Sequence, residues 1–191
     1  MENKYYENTK GALPHSIVKK FISMSPTPKK AIDLGCGAGR DTIYLIEHGW
    51  NVLAIDRENV ERLIFEKLNQ EQQKRLKFSK QNFENVKLED ANLIVANFSL
   101  PFCNKIYFNE FWNKVINSIS KEGYFVGNFF GIKDSWHTEK KQMVFLTENE
   151  ILDLFRESFS IIELNEIEND GKTAIGTFKH WHIYNIIAKK L

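Results

Sequence analysis

The chain has 191 residues, of which 42% are hydrophobic and 27% charged. This size fits one compact globular domain and leaves little room for a second. Lys and Arg together number 26, and Asp and Glu number 25, so the net charge of +1 creates no overall field that would gather polyanions. These figures disfavour a protein that binds nucleic acid without regard to its sequence.

The lengths of the apolar runs and the number of cysteines argue against a membrane or secreted protein and against a disulfide-rich one. No apolar run is long enough to cross a bilayer, and the opening Met-Glu-Asn-Lys lacks the apolar core of a signal peptide. We therefore expect a cytoplasmic protein with no membrane partner. Cys36 and Cys103 are too few for a disulfide framework or a four-cysteine zinc site, so both are expected to be thiols.

The first 28 residues stand apart from the pattern that follows them. Tyr5 and Tyr6 lie in a polar arm, and a short helical pattern follows before the breaker Ser-Pro-Thr-Pro at 25–28. The apolar residues of that pattern are Leu13, Ile17, Val18 and Phe21. We predict a single domain, with an N-terminal arm and helix at 1–28 and the core at 29–191.

Strand and helix patterns alternate from residue 29 onwards. Apolar runs predict buried strands at 31–34, 52–56, 76–78, 91–97 and 123–130. Apolar residues at helical spacing predict helices at 40–48, 60–68 and 108–119. Thr147, with Glu150 three residues later, forms a capping box that begins another helix.

The last two predicted strands, 159–164 and 181–188, have no helical pattern between them and should pair as an antiparallel hairpin. The whole order predicts an α/β fold with a doubly wound, mostly parallel sheet of seven strands that ends in this hairpin. In such sheets, ligands bind beyond the carboxyl ends of the strands, near the point where the strand order reverses. Functional residues are therefore expected in the loops that follow the strands.

A glycine-rich turn follows the first strand, in the run Asp-Leu-Gly-Cys-Gly-Ala-Gly-Arg-Asp at 33–41. Glycines allow positive φ and let a ligand approach the backbone. A dinucleotide-binding turn, G-x-G-x-x-G, would place its third glycine at the position of Arg40, but Gly39 comes one residue earlier. Asp33 would oppose a diphosphate and suits an ammonium group. The turn therefore favours an amino-acid-like ligand.

A second carboxylate, Asp56, ends the second predicted strand. A carboxylate at this position can accept hydrogen bonds from both hydroxyls of a ribose. Together, Asp33 and Asp56 indicate a ligand that combines an adenosine with an amino acid.

This combination resembles the first two motifs of the class I S-adenosylmethionine-dependent methyltransferases, whose fold matches the predicted element order over 29–191. The run at 33–41, followed by Tyr-Leu and His-Gly-Trp-Asn-Val, is similar to the small tellurite-resistance and thiopurine-type branch of that superfamily. The resemblance implies a Rossmann-like catalytic core and S-adenosylmethionine as the cofactor. For the glycines alone, an ordinary tight turn is the alternative.

The resemblance also implies which residues bind the cofactor. They are Asp33, Gly35, Cys36, Gly37, Gly39, Arg40, Asp56, Arg57, Asn82, Phe83, Asn97 and Phe98. The glycine turn would line the methionine end, Asp56 would hold the ribose, and Arg57 or Glu58 would flank the adenine. Asn82 and Phe83 would lie at the adenine edge, where the acidic residue usual in the superfamily is missing.

Asn97 and Phe98 follow the fourth strand, where the superfamily brings the methyl group toward its acceptor. Methyltransferases that act on exocyclic amines of nucleic acids carry an Asn/Asp-Pro-Pro-aromatic motif here, and the run Asn-Phe-Ser-Leu-Pro-Phe at 97–102 lacks the double proline. The sequence therefore argues against a nucleic-acid partner. Asn97 itself either contacts the cofactor or caps the turn after its strand.

His180 and His182 flank Trp181 at strand spacing, so both imidazoles should share one face while the indole lies on the other. We predict that His182 and His180 are the catalytic residues, as a general base and its partner. An anion-binding pair, two metal ligands or two structural histidines are the alternatives. No third ligand is evident, so no metal is expected.

Three short segments are left to enclose a substrate. Trp136 and His137 lie in a long loop after the fifth strand, a place where lids are common. Tyr5 and Tyr6 either close over the cofactor or pack on the body of the domain. The third segment is the hairpin connection predicted at 171–180.

Segments this short suit a small acceptor. We therefore predict an S-adenosylmethionine-dependent methyltransferase that acts on a small molecule, with a thiol or a chalcogen oxyanion as the favoured acceptor. A nucleic-acid methyltransferase and a non-catalytic cofactor-binding module are the alternatives, and an NAD-linked oxidoreductase is the most distant.

Overall fold

The computed structural model describes residues 2–191 and contains one mixed sheet with helices on both faces. The strands are β1 Lys30–Leu34, β2 Asn51–Asp56, β3 Leu76–Lys80, β4 Ala91–Ala96, β5 Ile119–Gly131, β6 Phe145–Leu146, β7 Phe159–Lys172 and β8 Phe178–Lys190. The helices are α1 Glu2–Thr9, α2 Ser16–Ser23, α3 Arg40–Glu47, α4 Glu61–Phe65, α5 Gln70–Gln73, α6 Phe108–Ser118, α7 Trp136–Glu139 and α8 Glu148–Phe155. Short 3-10 turns cover Phe83–Asn85 and Leu100–Phe102.

The strand order is β3-β2-β1-β4-β5-β8-β7, and β6 pairs with β5. Strands β1 to β6 pair in parallel, whereas β8 is antiparallel to both β5 and β7. The chain order reverses beside β1, so the loops after β1 and β4 leave a crevice at the carboxyl edge. The predicted α/β fold, with a mostly parallel sheet and a C-terminal hairpin, is confirmed.

The sheet has eight strands in the described part of the chain, one more than predicted. The extra strand, β6, has only two residues and is too short to give a periodic pattern. Strands β7 and β8 also run further than expected, so the hairpin connection shrinks to 173–177. The added part of β7 is polar and mostly exposed, which is why an apolar pattern does not reveal it.

Two helical segments also differ from the predictions. The polar arm around Tyr5 and Tyr6 forms helix α1, whose sequence gives no apolar face to predict it from. The helix predicted at 60–68 is shorter than expected, since α4 covers only Glu61–Phe65, and a separate short helix, α5, follows at Gln70–Gln73. The predicted capping box at Thr147 is present: its hydroxyl accepts from Glu150 N at 3.3 Å, and Glu150 Oε2 accepts from Thr147 N at 2.7 Å.

The core consists of two apolar layers, one on each face of the sheet. Helices α2 and α3 cover one face, where the ring of Phe21 packs against Trp50 and Tyr124 at centroid distances of 6.1 and 5.1 Å. Helices α6 and α8 cover the other, where Trp112 contacts Phe125 at 5.2 Å. No helix in residues 2–191 is both long and apolar enough to span a bilayer. The two layers hold the strands rigidly, so the carboxyl edge has a fixed shape.

Candidate active site

The turn after β1 needs glycine at each of its three positions. Gly35, Gly37 and Gly39 have φ values of 70°, 54° and 84°, which side chains rarely adopt. A Cβ at Gly35 would also lie 2.4 Å from the Cβ of Ser99, and one at Gly39 would lie 2.4 Å from Ile64. The turn is therefore held between the loop after β4 and helix α4, with its backbone toward the crevice.

Asp33 lies at the end of β1 and is almost fully buried. Its Oδ2 accepts a hydrogen bond from the hydroxyl of Thr42 at 2.6 Å. Burial raises the pKa of Asp33, and the charge of the nearby Asp41 raises it further. The ionised form of Asp33 is therefore unfavourable, and a cationic ligand group would stabilise it.

Asp41 is a site residue to which the sequence reasoning gave no role. Its carboxylate accepts from the backbone N of His15 at 2.8 Å and from Asn97 Nδ2 at 2.8 Å, and its Oδ2 lies 2.6 Å from His15 Nδ1. Burial opposes ionisation, but the hydrogen bonds from His15 outweigh it and lower the pKa of Asp41. No local pattern could have revealed this pairing, because His15 and Asp41 come from separate helical segments.

Asn97 links this network to the end of β5. Its Oδ1 accepts from Asn128 Nδ2 at 3.3 Å, and Asn128 Oδ1 accepts from Phe98 N at 2.9 Å. These bonds fix the backbone of Phe98, which has a φ of 50°. Asn97 therefore positions the loop after β4 while it also lines the crevice.

Asp56 ends β2 beside the glycine turn, as predicted. Its Oδ2 accepts from Gly37 N at 2.9 Å, and its Oδ1 accepts from Glu58 N at 3.0 Å and from the hydroxyl of Tyr6 at 2.9 Å. Burial raises the pKa of Tyr6, and the charge of Asp56 raises it further. The tyrosine therefore stays protonated and donates to the carboxylate.

Between Asp33, Gly37 and Asp41 lies a pocket that α1 largely fills in this structure. Its volume is about 20 Å³, and Tyr5 covers it, with its ring 3.5 Å from where a Cβ on Gly37 would be. Arg40 closes another side by donating from Nε to the carbonyl of Leu13. The pocket has room for about one water molecule.

Four further residues of the predicted cofactor set differ in burial and in contacts: Cys36, Phe83, Arg57 and Asn82. Cys36 is buried, its amide donates to Ile55 O at 3.0 Å, and burial raises the pKa of its thiol. Phe83 stacks on Phe111 at 4.8 Å and approaches Gly35. Arg57 and Asn82 are exposed. Cys36 therefore forms hydrogen bonds at the turn through its amide and also through its thiol, which donates to Gly37 O at 3.8 Å.

An aromatic cluster, which we define as Phe98, Phe130, Trp136 and Trp181, adjoins the pocket. Phe98 stacks on His15 at 5.1 Å and meets Trp181 edge-on at 5.8 Å. Phe130 lies 5.7 Å from Trp181, and Trp136 lies 5.9 Å from it. The cluster joins the ends of β4, β5 and β8 into one apolar wall beside the Asp41 network.

Lys179 projects into this wall and is paired there with Asp134. The two side chains are 2% and 0% exposed, with Nζ 2.5 Å from Asp134 Oδ1. The ammonium also lies 3.8 Å from the ring centre of Trp136 and 3.9 Å from that of Trp181. Burial lowers the pKa of Lys179, and the hydrogen bond to Asp134 opposes this shift. Sequence gave no signal for this pair, because its partners are far apart in the chain.

His180 and His182 do share one face of β8, opposite Trp181, as their spacing predicted. Their side chains meet the acidic side chains of β7: His182 Nε2 lies 2.7 Å from Glu166 Oε1, and His180 Nδ1 lies 2.7 Å from Asp170 Oδ1. His182 Nδ1 also accepts from Lys133 N at 3.2 Å. The structure does not bring these imidazoles to the pocket at Asp33, and their catalytic role stays a prediction.

Among the described residues, one group of side chains could hold a metal ion. It consists of Glu166, Glu168 and His182, whose ligand atoms lie within 4.8 Å of one another. Lys133 already supplies a positive charge there, with Nζ 2.6 Å from Glu168 and 3.7 Å from Glu166.

His137, predicted as part of a lid, is exposed and packs on Phe145 at 5.3 Å.

The residues around the pocket fit a ligand with an adenosine and an amino-acid end. The hydroxyl of Ser99 is buried beside Gly35 and has no hydrogen-bond partner among the described residues, so its bonding capacity is left for a ligand. Asp33 can pair with an ammonium, and Asp56 can accept from a ribose hydroxyl in place of Tyr6. The glycine turn between them adds no side chain of its own, and the group that covers it is Tyr5 of α1.

The model of the family described as "Tellurite resistance protein TehB" matches residues 1–171 of the chain. Over 135 residues, the chain is 22% identical to the "Probable S-adenosylmethionine-dependent methyltransferase CRG1" of Saccharomyces cerevisiae, covering 68% of this chain and 45% of that protein.

Two solved structures share the fold. The crystal structure of TehB from Haemophilus influenzae has a TM-score of 0.74 at 20% identity, covering 93% of this chain and 62% of that chain. The 1,6-didemethyltoxoflavin-N1-methyltransferase of Burkholderia thailandensis, with its toxoflavin precursor and S-adenosylhomocysteine bound, has a TM-score of 0.70 at 18% identity, covering 95% and 80%. The chain therefore spans less than two thirds of the yeast protein and of the Haemophilus chain.

Proposed function

We propose that this chain, which belongs to the TehB family of tellurite resistance proteins, is an S-adenosylmethionine-dependent methyltransferase that acts on a small molecule. The observation that carries the proposal is the glycine cradle between two buried carboxylates, Asp33 and Asp56, at the ends of adjacent strands. The relatives support it, since the yeast protein is described as a probable methyltransferase with this cofactor. The Burkholderia structure has S-adenosylhomocysteine, the demethylated form of the cofactor, bound.

We assign the cofactor's parts by the chemistry of each side chain. Asp33 would pair with the ammonium of the methionine end, where a positive charge relieves the cost of its burial. Asp56 would accept the ribose hydroxyls, and Phe83 and Asn82 would line the adenine. When bound, S-adenosylmethionine supplies an electrophilic methyl group. The loop of Asn97 and Phe98 would align the acceptor and exclude water, which are the main protein contributions to such a transfer.

The acceptor is proposed to meet the methyl group at the aromatic cluster. The imidazole that stacks on this cluster, His15, lies 5.1 Å from Phe98, and its Nδ1 is paired with Asp41 Oδ2 at 2.6 Å. A thiolate or a chalcogen oxyanion attacks through a lone pair and needs no base, whereas a neutral amine or alcohol must lose a proton. A soft, polarisable acceptor also suits aromatic walls. We therefore favour thiols and chalcogen oxyanions, in keeping with the name of the family.

The test is transfer of a radiolabelled methyl group from S-adenosylmethionine to tellurite, selenite, small thiols, small amines and RNA. We expect label in the chalcogen or thiol products and none in RNA. The variant Asp56→Asn keeps the shape of the side chain but weakens the ribose site. It should reduce transfer when the cofactor is limiting. Transfer to none of these acceptors, or salt-sensitive transfer to RNA alone, would contradict the proposal.

A further inference from the structure

A second and larger cleft lies at the opposite edge of the sheet, where the parallel strands begin. Its volume is about 240 Å³, compared with about 20 Å³ for the pocket at the glycine turn. We call it the lysine cleft and define it by Lys29, Lys121, Lys189, Trp50, Asn92 and Tyr124. Neither the glycine turn nor the aromatic cluster contributes to its lining, so it is separate from the proposed active site.

The lysine cleft carries excess positive charge. Three ammonium groups line it against the single carboxylate of Glu122, which forms an ion pair with Lys189. Glu122 has a φ of 62°, and this left-handed residue brings its side chain to the end of β8. Among the described residues, the ammonium groups of Lys29 and Lys121 have no hydrogen bond or ion pair. The three ammonium groups and one carboxylate therefore give the cleft a net charge of +2 for a ligand.

Trp50 adds a buried donor to this charge. The residue is 1% exposed, it lines the cleft, and its Nε1–H has no hydrogen-bond partner in the described chain. A buried N–H without an acceptor is destabilising, so such a group calls for an explanation. The indole ring packs against Phe21 with a centroid distance of 6.1 Å. An oxygen acceptor from a ligand would satisfy this donor.

Asn92 supplies further donors to the cleft. Asn92 uses its Oδ1 to accept from Lys30 N at 3.4 Å, which leaves its amide N–H groups for another partner. An oxyanion has several acceptor oxygens and can take hydrogen bonds from an amide, an indole and two ammonium groups together. A neutral or cationic ligand would leave most of these donors unpaired.

We propose that the lysine cleft binds a small dianionic phosphate group, either free or as the monoester of a small metabolite. The net charge of +2 matches the charge of about −2 that a phosphate monoester carries near neutral pH. The volume is smaller than the roughly 300–1,000 Å³ of sites for drug-sized ligands, which favours a phosphate with a short attached chain over a nucleotide. This site does not depend on the methyltransferase proposal.

The indole N–H resonance of Trp50 in an amide-proton correlation NMR spectrum reports on the site directly, and Trp50→Phe assigns it. The full chain is titrated with inorganic phosphate and with O-phosphoethanolamine, at constant ionic strength set by chloride. We expect a saturable shift of this resonance, weakened at least tenfold in the double variant Lys29→Met, Lys121→Met. Stronger binding of O-phosphoethanolamine identifies a phosphate ester, and equal binding identifies the free ion.

The control variant Lys67→Met, Lys77→Met removes the same charge from exposed positions outside the cleft and should bind as the wild type does. A shift that fails to saturate, or that weakens equally in both double variants, would overturn the proposal. Because all four lysines are exposed, the variants are expected to fold. The resonance reports on binding whether or not the chain transfers methyl groups, so the two proposals fail independently.

Discussion

The hydroxyl of Tyr6 donates to Oδ1 of Asp56 at 2.9 Å, and in this way helix α1 occupies one oxygen of the carboxylate that we assign to the ribose. The other oxygen holds Gly37 N. With Tyr5 over the turn, the pocket is reduced to about 20 Å³, too small for a nucleoside. Cofactor entry therefore requires α1 to move, and the Tyr6–Asp56 bond opposes that movement.

Tyr6→Phe is expected to tighten cofactor binding by about tenfold or more. The substitution removes a competing hydrogen bond to a carboxylate, and a hydrogen bond to a charged group contributes about 1.5–3 kcal/mol. Calorimetric titration with S-adenosylhomocysteine measures the change. Tyr44→Phe is the control, because its hydroxyl on α3 has no hydrogen bond with a described residue. Weaker binding by Tyr6→Phe would mean that the hydroxyl serves the bound state instead.

Asp33→Asn is expected to raise the free energy of unfolding near neutral pH by about 1 kcal/mol while weakening cofactor binding. Burial raises the pKa of Asp33 in the folded state, so ionisation destabilises the fold as pH rises above the unfolded-state value. The difference between variant and wild type should therefore shrink toward zero as pH falls to about 4. Urea unfolding from pH 4 to 8 tests this, with exposed Asp153→Asn as the control. A gain that persists at the lowest pH would contradict it.

The buried pair of Lys179 and Asp134 should respond unequally to loss of each partner. Asp134→Ala leaves an ammonium buried without its carboxylate and should cost about 3–5 kcal/mol. Lys179→Met should cost less, because Asp134 keeps its hydrogen bonds from Trp136 N at 3.0 Å and His182 N at 3.3 Å. Urea unfolding measures both. Equal costs would show that the aromatic rings, and not Asp134, hold the lysine.

His182→Ala tests the predicted catalytic role of the imidazole pair. The side chain is 1% exposed and bonds both Glu166 and the backbone of Lys133, so we expect a loss of about 2–4 kcal/mol in stability. If the residue only holds the loop after β5, the pH profile of turnover per folded molecule stays unchanged. A change in the shape of that profile in the variant would assign His182 to catalysis.

The parts of the molecule that follow local rules were predictable from the sequence. Asp33 and Asp56 were placed correctly because each ends a short buried strand, and parallel strands bring their carboxyl ends to one edge. The capping box at Thr147 needs only residues three apart. The similarity to the tellurite-resistance branch followed from the run at 33–41 and the residues after it, and the family match confirms it.

The parts that depend on distant contacts were not predictable. Helix α1 has no apolar stripe, and its position comes from the Tyr6 bond to a residue 50 positions away. The His15–Asp41 contact spans 26 positions, and the Lys179–Asp134 pair spans 45. A sequence pattern reports spacing within one element, so pairings of this kind are visible only once the fold is known.

Titration calorimetry of S-adenosylhomocysteine with the wild type and with Asp56→Asn tests the central claim most directly. We predict saturable binding of one molecule per chain, weakened roughly ten- to a hundredfold in the variant, because hydrogen bonds to a charged group contribute about 1.5–3 kcal/mol. Asp153→Asn should bind as the wild type does. No binding by the wild type, or equal affinity in Asp56→Asn, would contradict the assignment of the cradle between Asp33 and Asp56 as the cofactor site.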